Sequence, residues 1–135
     1  SLAVAEVDKK KHVSRITIVT KGTLEVIQQI KLQLGKLIPV HKVADFSRND
    51  PDIIFKELAL LKLVGTAVKQ KKAKLMCKKF NPIVLDKTQK SFVIQVTALR
   101  RDIDKLIANL KPLGLISISR TGAVAMTRGK EVFTQ

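Results

Sequence analysis

A strand–helix–strand pattern occurs twice in this chain. The first copy fills Ser14 to Ser47 and the second fills Ser91 to Thr121. In the first, the helical stretch carries Ile27, Ile30, Leu34 and Leu37; in the second it carries Ile103, Leu106, Leu110 and Leu113. Both sets have the 3-4-3 spacing that places side chains on one face of a helix. Each follows an alternating stretch that ends in Val-Thr: Arg15-Ile16-Thr17-Ile18-Val19-Thr20, then Phe92-Val93-Ile94-Gln95-Val96-Thr97. Alternation of this kind is the mark of a half-buried strand. A repeat on this scale restricts the chain to two related α/β sandwich units rather than one irregular domain.

The flanking residues extend both units. Ser1 to Val7 alternates weakly and reads as a strand, Asp8 to Lys11 as a polar turn, and Val13 to Thr20 as the second strand of a hairpin. Thr23 is placed to cap a helix running to about Leu37, which Pro39 stops because proline lacks the backbone donor a helix needs. Val40 to Phe46 is predicted as a strand, with Val40 and the Val43–Phe46 end partly buried. Ser47 to Pro51 is a polar linker, and the domain boundary is placed there, giving units 1–48 and 49–135. Phe55 to Val64 is an apolar strand whose run Leu58-Ala59-Leu60-Leu61 suits a central position covered on both faces. Thr66 to Lys79 is a lysine-rich helix with Ala73, Met76, Cys77 and Phe80 as its apolar side. Pro82 to Leu85, Ser91 to Thr97 and Leu115 to Arg120 are strands, and the helix between the last two runs from Arg100 to Leu113. Asp102 near its start and Lys111 near its end suit the helix dipole.

The second unit therefore has the strand-helix-strand-strand-helix-strand order of a ferredoxin-like fold. The first has only strand-strand-helix-strand. If the two are related, the first lacks an opening strand and helix, about 25–30 residues for such a pair. The expected class is α+β, two ferredoxin-like units with the first incomplete.

Of 135 residues, 45 % are hydrophobic, enough for packed cores, and the net charge is +15. The charge is uneven. Residues 1–65 carry 11 basic and 7 acidic side chains, a balance of +4; residues 66–135 carry 15 and 4, a balance of +11. Attraction to nucleic acid is one meaning of that excess and a solvated lysine face the other. With no Trp or Tyr and five Phe, stacking platforms for bases are scarce, so nucleic-acid binding ranks second. The single cysteine, Cys77, excludes an intramolecular disulfide and fits a reducing compartment. Apolar runs are too short for a membrane span, and a signal-peptide pattern is not evident. His12 and His41 lie in different elements with no metal-ligand spacing, and Asp102 and Asp104, spaced i, i+2, do not share a helix face. No nucleophile–base grouping or glycine-rich phosphate loop is present, so catalytic residues, metal and cofactor are all expected to be absent.

Five segments in register resemble the small, regulatory subunit of acetolactate synthase. They are Ser1-Leu2-Ala3-Val4; Ser14-Arg15-Ile16-Thr17-Ile18-Val19; Gln33-Leu34-Gly35-Lys36-Leu37-Ile38-Pro39-Val40-His41-Lys42-Val43; Lys56-Glu57-Leu58-Ala59-Leu60-Leu61-Lys62; and Arg120-Thr121-Gly122-Ala123-Val124-Ala125-Met126-Thr127-Arg128-Gly129. The last is the most specific. The resemblance implies a non-catalytic partner of a thiamine-diphosphate enzyme. It implies an N-terminal ACT domain that pairs with a second copy and binds branched-chain amino acids at that interface. It also implies that binding activates the catalytic subunit and makes it sensitive to feedback inhibition, usually by valine.

Two departures matter. The family's effector loop and asparagine would precede Ser1, so valine binding by this chain is expected to be poor, with Ser1, Leu2, Ala3 and Val4 bordering the site. Family members also usually carry acids on the helix matching Thr66 to Lys79, where this chain has none. Arg120, Thr121, Gly122 and Arg128 are the candidate contacts with the catalytic subunit, Arg128 and Gly129 on an exposed tail. The implied setting is bacterial cytoplasm or plastid stroma.

Overall fold

The computed structural model describes residues 2–46 and 50–132. Strands β1 (Leu2–Asp8) and β2 (Val13–Ile18) form an antiparallel hairpin with Leu2 opposite Ile18 and Val4 opposite Ile16. The Asp8 carboxylate shapes the turn by accepting the N–H of Lys10 at 3.0 Å and of Lys11 at 3.1 Å. Helix α1 (Leu24–Gly35) starts where predicted, with the Thr23 hydroxyl accepting the Val26 N–H at 3.3 Å. It stops at Gly35, two residues before Leu37. Ile27, Ile30 and Leu34 are half-buried, but Leu37 sits in the following turn and is exposed.

The predicted strand from Val40 to Phe46 does not form. Val40, Val43 and Phe46 are half-buried as expected, yet the segment is irregular. An extended segment becomes a strand only when a neighbour accepts and donates along its edge. Among the described residues β1 and β2 make a two-stranded sheet, and residues 40–46 add no strand to it. The linker residues 47–49, and with them the boundary at 48/49, lie outside the described residues.

The second unit is a five-stranded sheet. Strands β3 (Ile53–Val64), β4 (Ile83–Lys87), β5 (Ser91–Ala98) and β6 (Leu115–Arg120) lie in the order β4-β5-β3-β6, every neighbour antiparallel. Helix α2 (Ala67–Cys77) joins β3 to β4, and α3 (Arg100–Leu110) joins β5 to β6. That is the ferredoxin-like order predicted from the repeat. With three α-helices and two sheets among the described residues, the chain is α+β.

One face of this sheet carries the core. Ala59, Leu61 and Leu63 of β3 and Phe92, Ile94, Val96 and Ala98 of β5 are buried against Ala73 and Cys77 of α2 and Ile103, Leu106 and Leu110 of α3. The apolar run of β3 is thus read by the fold as alternation: its odd-numbered residues are buried and Leu58 and Leu60 are half-buried on the other face. On α2 the buried set is Gln70, Ala73 and Cys77. Met76, expected on the apolar side, points away and is 40 % exposed. Gln70 enters the interior because its amide nitrogen donates to the carbonyls of Gly65 at 3.0 Å and Gln89 at 3.1 Å. Those bonds satisfy a buried polar group at no loss of packing.

A seventh strand was not predicted. β7 (Val124–Thr127) continues along the edge of β3 occupied by β6 and pairs with Ile53–Lys56.

At the other end of β6, Gly114 has φ +99°, and a Cβ there would meet the Val64 carbonyl oxygen at 2.0 Å. The approach is fixed by the Val64 N–H, which donates to the Gly114 carbonyl at 2.9 Å. Gly114→Ala must therefore both strain the backbone and push β3 from β6. Its expected cost is at least about 2 kcal/mol, read as a lower urea midpoint at unchanged slope.

Candidate functional site

The closing segment Arg120 to Gly129 builds a tightly tied edge. Ala59 lies opposite Arg120 and Lys56 opposite Val124. Between those pairs β3 has Glu57 and Leu58, while the other strand has Thr121, Gly122 and Ala123. One residue is therefore extra, and the edge bulges there. Gly122 takes up the bend at φ +83°, a conformation that disfavours a Cβ. Thr121 holds the bulge to β3: its N–H donates to the Leu58 carbonyl at 3.1 Å and its hydroxyl accepts the Leu58 N–H at 3.2 Å.

Arg120 reaches under the bulge on the helix side of the sheet. Its Nε donates to Glu57 Oε1, and its Nη1 donates to Asp104 Oδ1 on α3 at 2.6 Å. The Glu57 side chain is 1 % exposed, that of Arg120 27 % and that of Asp104 55 %. The hydrogen bond to Glu57 holds the guanidinium above its usual range, opposed by desolvation and assisted by Asp104. Glu57 Oε2 is buried with no hydrogen-bond partner among the described residues. The triad thus ties β3, β6 and α3 through one charge that water cannot reach. Sequence reasoning took Glu57 only as part of a motif. The available signal was an acid flanked on its core side by Phe55 and Ala59.

Arg128 is exposed and tied to the residues just before β3. Its N–H donates to the Asp52 carbonyl at 2.7 Å and its Nε to the Pro51 carbonyl at 3.0 Å. Arg120, Thr121 and Arg128 therefore spend these polar groups inside the chain, while Val124 and Met126 of β7 are exposed.

The effector-adjacent residues fall on β1. Leu2 and Val4 are exposed and share one face of the hairpin with their partners Ile18 and Ile16, while Ala3 is half-buried. Ser1 lies outside the described residues. The structure does not bring this group near a grouping of acids, histidines or thiols: among the described residues there is no cluster of three or more such side chains that could hold a metal ion. Nor is any helix there long and apolar enough to cross a membrane. Cys77 is buried beneath the sheet, and desolvation pushes its thiol up to about 11.

Residues 56–129, from the middle of β3 to the end of the tied edge, match the family described as the small subunit of acetolactate synthase. The chain is 38 % identical over 121 residues to the acetolactate synthase small subunit of Bacillus subtilis, covering 88 % of this chain and 69 % of that one. It is 32 % identical over 132 residues to the Haemophilus influenzae small subunit, covering 97 % and 79 %. This chain belongs to the acetolactate synthase small-subunit family. The crystal structure of the Thermotoga maritima small subunit superposes with a TM-score of 0.81 at 29 % identity, covering 97 % of this chain and 80 % of that one. The resemblance carried by the five motifs is thereby established for this small-subunit chain as a whole. A chloroplastic small subunit from Arabidopsis thaliana is 35 % identical over 114 residues, 84 % of this chain and 24 % of that one.

Two outcomes follow from the buried groups. Arg120→Ala strands the Glu57 charge and is expected to cost about 3 kcal/mol; Asp104→Ala, removing an exposed partner, about 0–1 kcal/mol. Urea unfolding of both variants checks the order. Cys77 stays a neutral thiol in the fold well above the pH at which an unfolded thiol ionises. Its preference for the protonated form supports the native state below about pH 9 and is lost between 9 and about 11. Alkylation by iodoacetamide at pH 8.5 should be slow in the native chain and fast in urea, with mass spectrometry as the readout.

Proposed function

We propose that this chain is a non-catalytic regulatory subunit: it binds and activates the acetolactate synthase catalytic subunit and mediates feedback inhibition by a branched-chain amino acid, valine in the usual case. Membership of the small-subunit family carries this reading. The architecture supports it, since the two units resemble a sensing module and a docking module rather than a reaction centre.

The units are assigned as 1–48, an ACT domain, and 49–135, a ferredoxin-like domain. The first is taken as the homodimer module. Two features support that role: β1 has an unpaired outer edge among the described residues, and Leu2, Val4, Ile16 and Ile18 form an exposed apolar strip beside it. An open edge next to apolar surface favours pairing with another strand. Ser1, Leu2, Ala3 and Val4 remain the effector-adjacent residues. The edge around Arg120, Thr121, Gly122 and Arg128 is proposed as the contact with the catalytic subunit. There the internal hydrogen bonds hold a preformed shape, and exposed Val124 and Met126 supply apolar contact. The setting is bacterial cytoplasm or plastid stroma.

Feedback control of this kind is a coupling free energy between an effector site and a remote active site. It requires the effector to bind one arrangement of the assembly better than the other.

Reconstitution with an acetolactate synthase catalytic subunit tests the proposal. The chain is expected to co-purify with it and raise its turnover. Valine titrated into the reconstituted complex is expected to lower the raised turnover. If the chain neither co-purifies nor changes the rate, the regulatory role fails.

A further inference from the structure

The lysine excess is not evenly spread over the second unit. A cleft of about 390 Å³ lies between α2 and the turn joining β4 to β5. Lys71 and Lys74 stand on its helix wall, Lys87 on its strand wall, and Thr88 and Gln89 at its rim. No acidic residue lines it. Asp86 is next to Lys87 in the chain but on the other face of the sheet. The ladder sets Asp86 opposite half-buried Val93 and Lys87 opposite Phe92, which is buried beneath the helices.

The walls are held rigidly. The Gln70 amide spans the cleft floor from Gly65 to Gln89. The Thr88 hydroxyl accepts the N–H groups of Lys90 and Ser91 at 3.3 and 3.1 Å, and it lies 2.6 Å from the Ser91 hydroxyl. Lys74 is exposed, with its ammonium 5.4 Å from the centre of the Phe92 ring. There it meets Lys87. That side-chain contact, then desolvation, then like-charge repulsion hold Lys74 below the usual lysine range. Among the described residues no carboxylate pairs with Lys71, Lys74 or Lys87.

We propose that this cleft binds a compact phosphoryl anion, with Lys74 and Lys87 as the paired ligands and Lys71 as the third. Three ammonium groups on opposed walls match several oxygens of one multivalent anion, whereas a single carboxylate would neutralise only one of them. A bound anion would turn the Lys74–Lys87 repulsion into two attractions. Nucleic acid fits the cleft less well. Its phosphates are strung along a backbone and are gripped together with stacked bases, and the aromatic ring at this cleft, Phe92, is 1 % exposed. The proposal is independent of the contact with the catalytic subunit.

Titration calorimetry with inorganic pyrophosphate at low salt, with orthophosphate in parallel, tests it. The expected result is saturable binding of one pyrophosphate per chain, tighter than orthophosphate. The double substitution Lys74→Gln, Lys87→Gln should weaken it at least about tenfold. Lys62→Gln, the loss of an exposed lysine on the opposite sheet face, should change it less than about twofold. Amide-shift mapping on the unsubstituted chain gives an answer that does not depend on the variants folding. Shifts confined to Lys71–Leu75 and Lys87–Gln89 support the site. Absence of binding, shifts spread over all the basic surface, or equal weakening by Lys62→Gln would overturn it in favour of diffuse attraction to the +15 charge.

Discussion

The second unit is organised around β3. Its twelve residues pair with β5 along one edge, and with β6 and then β7 along the other. A strand so used has its register set on both sides, and its odd-numbered side chains become the centre of the core. The delicate point is Glu57, where one edge passes from β6 to β7. An apolar residue would pack there more cheaply, because a buried ion pair rarely repays its desolvation. What Glu57 supplies is direction. Among the described residues only Arg120, at the last position of β6, pairs with it, and Arg120 also holds Asp104 on α3. A slip of one residue would turn Arg120 to the opposite face and leave the carboxylate alone in the core. The bulge at Thr121 to Ala123, the position of α3 and the start of β7 are thus all held to one register.

Much of this was legible because it is periodic. The spacing of Ile27, Ile30 and Leu34 on α1 and of Ile103, Leu106 and Leu110 on α3, the cap at Thr23, and the order of the second unit all follow from short-range spacing, whereas Leu37 and Leu113 fall beyond the ends of those helices. The failures are equally local in cause. Val40 to Phe46 has strand-like residues and strand-like burial, but a strand is a relation to a neighbour, and that relation is not written in the segment itself. β7 was missed because the sharp turn at Gly122 interrupts the alternation that would have extended β6. Met76 was misplaced because the buried face runs through Gln70, Ala73 and Cys77, and its first member is the polar Gln70. Its two carbonyl partners, Gly65 and Gln89, come from loops that sequence spacing does not bring together.

The candidate contact residues show a similar division. Arg120, Thr121 and Arg128 stand out in the sequence as a signature, and a signature invites a direct role in binding. Their geometry ties them inside the chain instead. Each holds backbone or buried charge at the edge of β3, so the surface they define is rigid before any partner arrives. Rigidity of this kind lowers the ordering cost of association. It also makes the edge suited to transmit a change, since a packed and hydrogen-bonded strand end shifts as a unit rather than by flexing.

The positive charge raises a different question, because self-repulsion opposes folding and the second unit carries most of the excess. Lysines usually reduce that penalty by extending into water, where a charge is well screened. Lys69 and Lys72 on α2, and Lys78 just after it, are exposed and free to do so. Lys74 is exposed too, but its ammonium stands over the Phe92 ring, and its contact with Lys87 holds it below the usual lysine range. The fold thus accepts a local electrostatic conflict at one place while avoiding it at its neighbours. Random accumulation of surface lysine would show no such focus. The repulsion is concentrated where two rigid walls leave space for a counter-charge, and there an anion would gain most from the field of the whole unit.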